Sequence, residues 1–127
     1  MIIGLDHVAI AVRDVEEAVT MYRDVLGLNP PAVPPPAGDN TVYLSTGDKV
    51  TLEIIQPSGP EDPVYKFIER RGEGLHHICL LTDDLKKEIE DLKARGAEVM
   101  PSDLGPNLAI VHPRSAKGVL IWLWQRD

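Results

Sequence analysis

The sequence predicts an α+β fold: two βαβββ modules related by a pseudo-twofold axis, their strands forming a curved mixed sheet around a cavity. The first observation behind this is an internal repeat. LDHVAIAVRDVEEA, from Leu5, lies over LHHICLLTDDLKKE, from Leu75, so that Leu5 meets Leu75, His7 meets His77 and Asp14 meets Asp84. The second is that each copy passes from strand-like alternation of apolar residues to a helix start at the same point. The third is size: 127 residues make one domain, and neither half is large enough to be comfortable alone, so the two must share a core. Module one covers about residues 1–57, a bridge residues 58–73, and module two about residues 74–127.

In the first module, Gly4–Val12 alternates and places Leu5, His7, Ala9 and Ala11 on one face, with Asp6, Val8, Ile10 and Val12 on the other. Asp14 is a helix N-cap, with Glu17 three residues on completing a capping box. The helix over residues 14–26 has Val15, Ala18, Val19, Tyr22, Val25 and Leu26 as its buried stripe, and Gly27 ends it. After the proline loop NPPAVPPPAG come strands Thr41–Ser45 and Val50–Ile55, joined by a TGDK turn. In the bridge, Pro63–Arg71 reads as a short helix with Val64, Phe67 and Ile68 inward. The second module opens with strand Leu75–Leu81. A helix follows over residues 84–95, from Asp84 to Gly96, with the thinner stripe Leu85, Ile89 and Leu92. Short strands near Glu98–Met100, Leu108–His112 and Gly118–Trp124 complete it, the last expected to pair with a strand of the first module as well. LEIIQ and IWLWQ set Gln56 against Gln125, and by that register Trp122 holds in module two the place of Glu53 in module one.

Composition excludes several function classes. A formal charge of −7 argues against a nucleic-acid partner or an anionic membrane surface. No apolar run approaches a membrane span, and MIIGLDHV lacks the parts of a signal peptide. Cys79 is the only cysteine, so no internal disulfide forms and a reducing cytoplasm is the expected setting.

The histidines carry the chemistry. A lone histidine on an apolar strand is usually structural, but the repeat-related placement of His7 and His77 can bring two imidazoles face to face, a sound beginning for a metal site. Glu53 lies inside the apolar strand TLEII, where an unpartnered carboxylate is costly; a ligand role compensates, and a salt bridge would also serve. His76, on the opposite face from His77, reads as a polar outward residue or one supporting the ligands. Trp122 and Trp124 share a face with Leu120 and suit a core or pocket wall. Cys79, two residues after His77 on the same face, reads as a buried, inert thiol. His112 reads as a turn residue. Arg70, Arg71, Arg114 and Lys117 are scattered cations, with only a weak case for contacting phosphates.

Three segments, AVRDVEEAVTMYRDVLGL, DPVYKFIERRGEGLHHI and HPRSAKGVLI, together with the paired first strands LDHVAI and GLHHIC, resemble the vicinal oxygen chelate superfamily of glyoxalases, bleomycin-resistance proteins and extradiol dioxygenases. Within it the resemblance is to the methylmalonyl-CoA epimerases. It covers most of the chain outside the proline loop. The resemblance implies a divalent metal (cobalt, zinc, manganese, nickel or iron), a small-molecule substrate such as an acyl-CoA, and a homodimer. Of the four ligands it implies, three carry over as His7, Glu53 and His77. The fourth falls on Trp122, which has no lone pair for a metal. The acidic residue such epimerases keep before the strand at Thr41 falls on Pro35, Pro36 and Ala37. The catalytic acid and base are therefore unassigned, Glu73 and Asp39 being the nearest acidic residues in sequence to the cavity-lining strands. A two-histidine, one-carboxylate set suits non-haem iron, and zinc or manganese would accept it. Trp122, Trp124, Cys79 and Tyr43 are the expected pocket walls. Three functions follow: an epimerase-like enzyme on an enolisable acyl-CoA or similar small acid with a depleted carboxylate set; a repurposed metal-dependent lyase, isomerase or oxygenase; or a metal-free binding protein stacking a flat ligand on its indoles.

Overall fold

The structure, a computed structural model, describes residues 1–33 and 40–126. The chain forms a mixed α+β fold on one seven-stranded sheet that does not close. The elements are β1 (Ile2–Ala11), α1 (Val15–Val19), a π-helical turn (Thr20–Val25), β2 (Thr41–Ser45), β3 (Thr51–Ile55), α2 (Pro63–Arg71), β4 (Gly74–Thr82), α3 (Leu85–Ala94), β5 (Val99–Pro101), β6 (Leu108–Val111), a 3-10 turn (Pro113–Ser115) and β7 (Ile121–Trp124). Strand order is β2-β3-β1-β4-β7-β6-β5. Two compact units divide the chain, His7–His76 and Met1–Asp6 with His77–Asp127, and β1 contributes its first half to one and its second half to the other. No helix among the described residues is long and apolar enough to cross a membrane.

In the unit His7–His76, β1 and β3 run parallel and β2 and β3 antiparallel. Ile10, Val12, Leu44 and Ile54 bury against Val15 and Val19 of α1, with Val42, Leu52, Ala18 and Tyr22 packed around them. These strand residues all belong to one face of the pleat, so His7, Ala9, Ala11, Glu53 and Tyr43 belong to the face turned away from α1. The Asp14 side chain accepts from the backbone N–H groups of Glu16 and Glu17, as its place before an apolar stripe demands. The expected stripe ends early, however. Val25 and Leu26 are 68% and 56% exposed. The reason is the π-helical turn: Leu26 N–H bonds to the carbonyl of Met21, five residues back. Each such turn holds more residues than an α-turn and rotates the following side chains off the buried face. Gly27, at φ +83°, takes the left-handed conformation that ends the segment. α2 stands where expected, with Asp62 accepting from Val64 N–H, Pro63 in the first turn and Ile68 buried.

In the other unit, β4 and β7 are parallel, while β6 is antiparallel to both β5 and β7. Leu85 of α3 buries with Val99, Ala109, Val111 and Leu123, and Ile89 and Leu92 pack on that cluster. Asp84 caps α3 by accepting from Lys87 N–H. The last strand departs from expectation twice. β7 lies between β4 and β6, so the predicted pairing with a strand of module one does not form. It also begins at Ile121, because Lys117 (φ 58°) and Gly118 (φ 93°) turn the chain, and Gly118 N–H bonds back to Pro113.

Candidate metal and ligand site

The backbone register tests the equivalence of Glu53 and Trp122 independently of sequence motifs. Across the parallel pair β1·β3, Ala9 stands opposite Glu53; across β4·β7, Cys79 stands opposite Trp122. The repeat that carries Ala9 onto Cys79 therefore carries Glu53 onto Trp122. The glutamines agree. Gln56 Oε1 accepts from Val15 N–H at 2.9 Å and Gln125 Oε1 from Leu85 N–H at 2.7 Å, each bridging the end of a strand to the first residue of its own module's helix. Their pairing is visible in the sequence; their bonds to α1 and α3 span about forty residues and only the fold shows them.

His7 and Glu53 meet in one unit. His7 is 8% and Glu53 9% exposed, and His7 Nε2 lies 3.5 Å from Glu53 Oε2. This is longer than a good N–H···O hydrogen bond of about 2.7–3.2 Å. Two ligands bonded at about 2.1 Å to one zinc-like ion, at a tetrahedral angle of about 110°, stand about that far apart. The donor types and spacing fit a shared cation. Tyr43 lies opposite Glu53 on β2, half-buried on the same face.

In the other unit, His77 is 2% exposed and its imidazole stacks on the indole of Trp122, with centroids 3.9 Å apart and planes 9° from parallel. The stack holds the imidazole by its face, whereas the lone pair that binds a metal lies in the ring plane, so stacking and ligation are compatible. Cys79, at 1% exposed, is the buried thiol expected. Trp124 is half-buried, and the Arg126 guanidinium lies over its ring at 5.6 Å while also pairing with Asp6.

The remaining candidates fall outside this chemistry. Glu73 accepts from Arg13 N–H at 2.8 Å and pairs with the Arg13 guanidinium at 3.8 Å, a surface tie that does not suit a general base. Asp39 and the positions Pro35, Pro36 and Ala37 lie outside the described residues. His76 is half-buried, edge-on to Phe67 at 4.9 Å, where burial lowers its pKa and the Asp62 charge opposes the shift only in part. His112 is the turn residue expected, its Nδ1 accepting from Arg114 N–H at 3.1 Å. Arg114 pairs with Glu98 at 3.0 Å, and Arg71 sits over Phe67 at 5.9 Å.

Comparison with known proteins agrees with this architecture. A family model for the glyoxalase/bleomycin resistance protein/dioxygenase superfamily matches residues 6–109, and the chain belongs to that superfamily. Within it, the chain is similar to methylmalonyl-CoA epimerases. It is 33% identical over 129 residues to the mitochondrial methylmalonyl-CoA epimerase of Homo sapiens, covering 95% of this chain and 73% of that protein. It is 34% identical over 134 residues to the ethylmalonyl-CoA/methylmalonyl-CoA epimerase of Cereibacter sphaeroides, covering 98% and 99%. The crystal structure of methylmalonyl-CoA epimerase from Mycobacterium tuberculosis matches with a TM-score of 0.84 at 26% identity, over 99% of this chain and 89% of that one.

Proposed function

We propose that this chain is an epimerase-like, metal-dependent enzyme acting on an enolisable acyl-CoA or similar small acid, its two modules working as one domain. In this reading His7, Glu53 and His77 hold the metal. The observation that carries it is the buried His7–Glu53 pair on the sheet face away from α1, with His77 at the repeat-equivalent place in module two. The similarity to methylmalonyl-CoA epimerases supports that substrate class.

Removing a proton beside a thioester builds negative charge on oxygen, and a divalent metal supplies Lewis-acid stabilisation for that charge. The chain's own residues set the conditions. Glu53 offers a carboxylate oxygen beside the imidazole nitrogens of the two histidines. The flat face of Trp122 fixes the His77 ring and covers part of the site with apolar surface, which limits water. Trp122 cannot take a proton, since an indole N–H is a donor only. It stands where the resemblance implies a carboxylate, so epimerisation of methylmalonyl-CoA is expected to be weak or absent.

Elemental analysis of the purified protein tests the metal reading directly. Near-stoichiometric divalent metal is expected, and His77→Ala loses it together with thermal stability, because binding free energy adds to folding free energy. Full occupancy in His77→Ala would show the ligand assignment to be wrong. Proton–deuterium exchange at the α-carbon of methylmalonyl-CoA tests the substrate reading; exchange at about 10 s⁻¹, a typical enzymatic rate, would require a base other than those considered.

A further inference from the structure

Trp122 Nε1 is the one fully buried side-chain polar atom that finds no hydrogen-bond partner among the described residues. A buried N–H left unpaired is costly, and native proteins seldom keep one without a use. Its neighbours across the sheet are Cys79 on β4 and Ile110 on β6, neither offering a strong acceptor. The stack on His77 does not need the nitrogen, because the all-carbon ring of phenylalanine would stack without an orphaned donor.

The geometry points to a ligand-binding role: Trp122 Nε1–H donates a hydrogen bond to an anionic oxygen of the bound small molecule. This rests on the proposed function in taking the face that carries His77 as the ligand-bearing one, and it deepens that reading. Where a carboxylate would repel a negatively charged oxygen, an indole N–H attracts it. The substitution thus turns an acceptor position into a donor position. It selects ligands that present a carboxylate or enolate-like oxygen to module two. The nitrogen is covered as the indole stands, so the ligand engages it through a small rotation of the indole over the His77 ring.

The test is a titration of the full-length protein, with its indole nitrogens ¹⁵N-labelled, by malonate, read by proton–nitrogen NMR. The Trp122 indole peak is assigned by its absence from Trp122→Phe. The expected result is a saturable downfield shift of that proton with slowed solvent exchange, and malonate binding about tenfold weaker in Trp122→Phe. Malonate binding that moves the backbone amides of His77 and Cys79 but leaves the Trp122 indole peak in place overturns the inference. So does equal affinity in a folded Trp122→Phe, and so does the absence of any binding at tens of millimolar malonate. An indole shift in protein that holds no metal supports the donor role while refuting the metal reading. A metal-loaded protein with an unmoved indole does the reverse.

Discussion

Replacing Trp122 by glutamate separates the metal hypothesis from mere stability. A fully buried tryptophan cut down to a small residue costs about 3–5 kcal/mol. Trp122 is half-buried rather than enclosed, which favours the lower end. The stack on His77 at 3.9 Å is lost with the indole, about 0.5–1.5 kcal/mol beyond simple burial. Against that, the unpaired Nε1–H disappears, returning about 1–3 kcal/mol. Without metal the introduced carboxylate is unpartnered in an apolar strand, which costs about 2 kcal/mol more. The net is a loss of about 4–5 kcal/mol in the metal-free variant, or a fall in Tm of about 15 °C for a chain of this length. With metal added the order of effects changes. A fourth protein ligand that tightens binding at least tenfold adds about 1.4 kcal/mol at saturating metal, enlarging the metal-induced rise in Tm by about 5 °C over the parent. The assay is differential scanning calorimetry of parent and Trp122→Glu, each with chelator and with excess cobalt(II), whose visible absorption also reports the coordination number. A metal-induced rise no larger in Trp122→Glu than in the parent would refute the placing of Trp122 at a ligand position.

Three further outcomes follow from the structure. Gln56→Ala and Gln125→Ala each remove an acceptor from the first turn of a helix, and each should cost about 1–2 kcal/mol in urea unfolding; negligible losses in both would show that Asp14 and Asp84 carry the caps alone. Ile54→Ala, at a site 0% exposed between β3 and α1, should cost about 2–5 kcal/mol, and a loss under about 1 kcal/mol would mean this cluster is not the core of its unit. Asp62 is partly desolvated, which raises its pKa, but hydrogen bonds from Ser58 and Val64 outweigh this and hold it below its ordinary value of 3.8. A carboxylate with a depressed pKa stabilises the fold above that ordinary value, and the contribution disappears as pH falls through the lower, folded one. Asp62→Asn should therefore flatten the acid limb of stability below pH about 4, and an unchanged slope would count against the cap.

The sequence by itself determined the duplication, the two aspartate-capped helix starts at Asp14 and Asp84 and the candidate ligands. Those features depend on short-range physics: a carboxylate capping N–H groups two or three residues away, a two-residue pleat, and an equivalence preserved within the repeat. Even the position of Trp122 was legible, because Gln56 and Gln125 mark the same register in both modules. The tertiary structure decided what depends on distant partners. The π-helical turn shifted the helix phase and sent Val25 and Leu26 to the surface. β7 paired with β4 and β6 inside its own unit. Gln56 and Gln125 reached across about forty residues to the helix starts. Above all, the fold laid the Trp122 indole flat on His77 and left its N–H without an acceptor, since ring orientation and hydrogen-bond satisfaction are set by packing across strands, which no local pattern encodes.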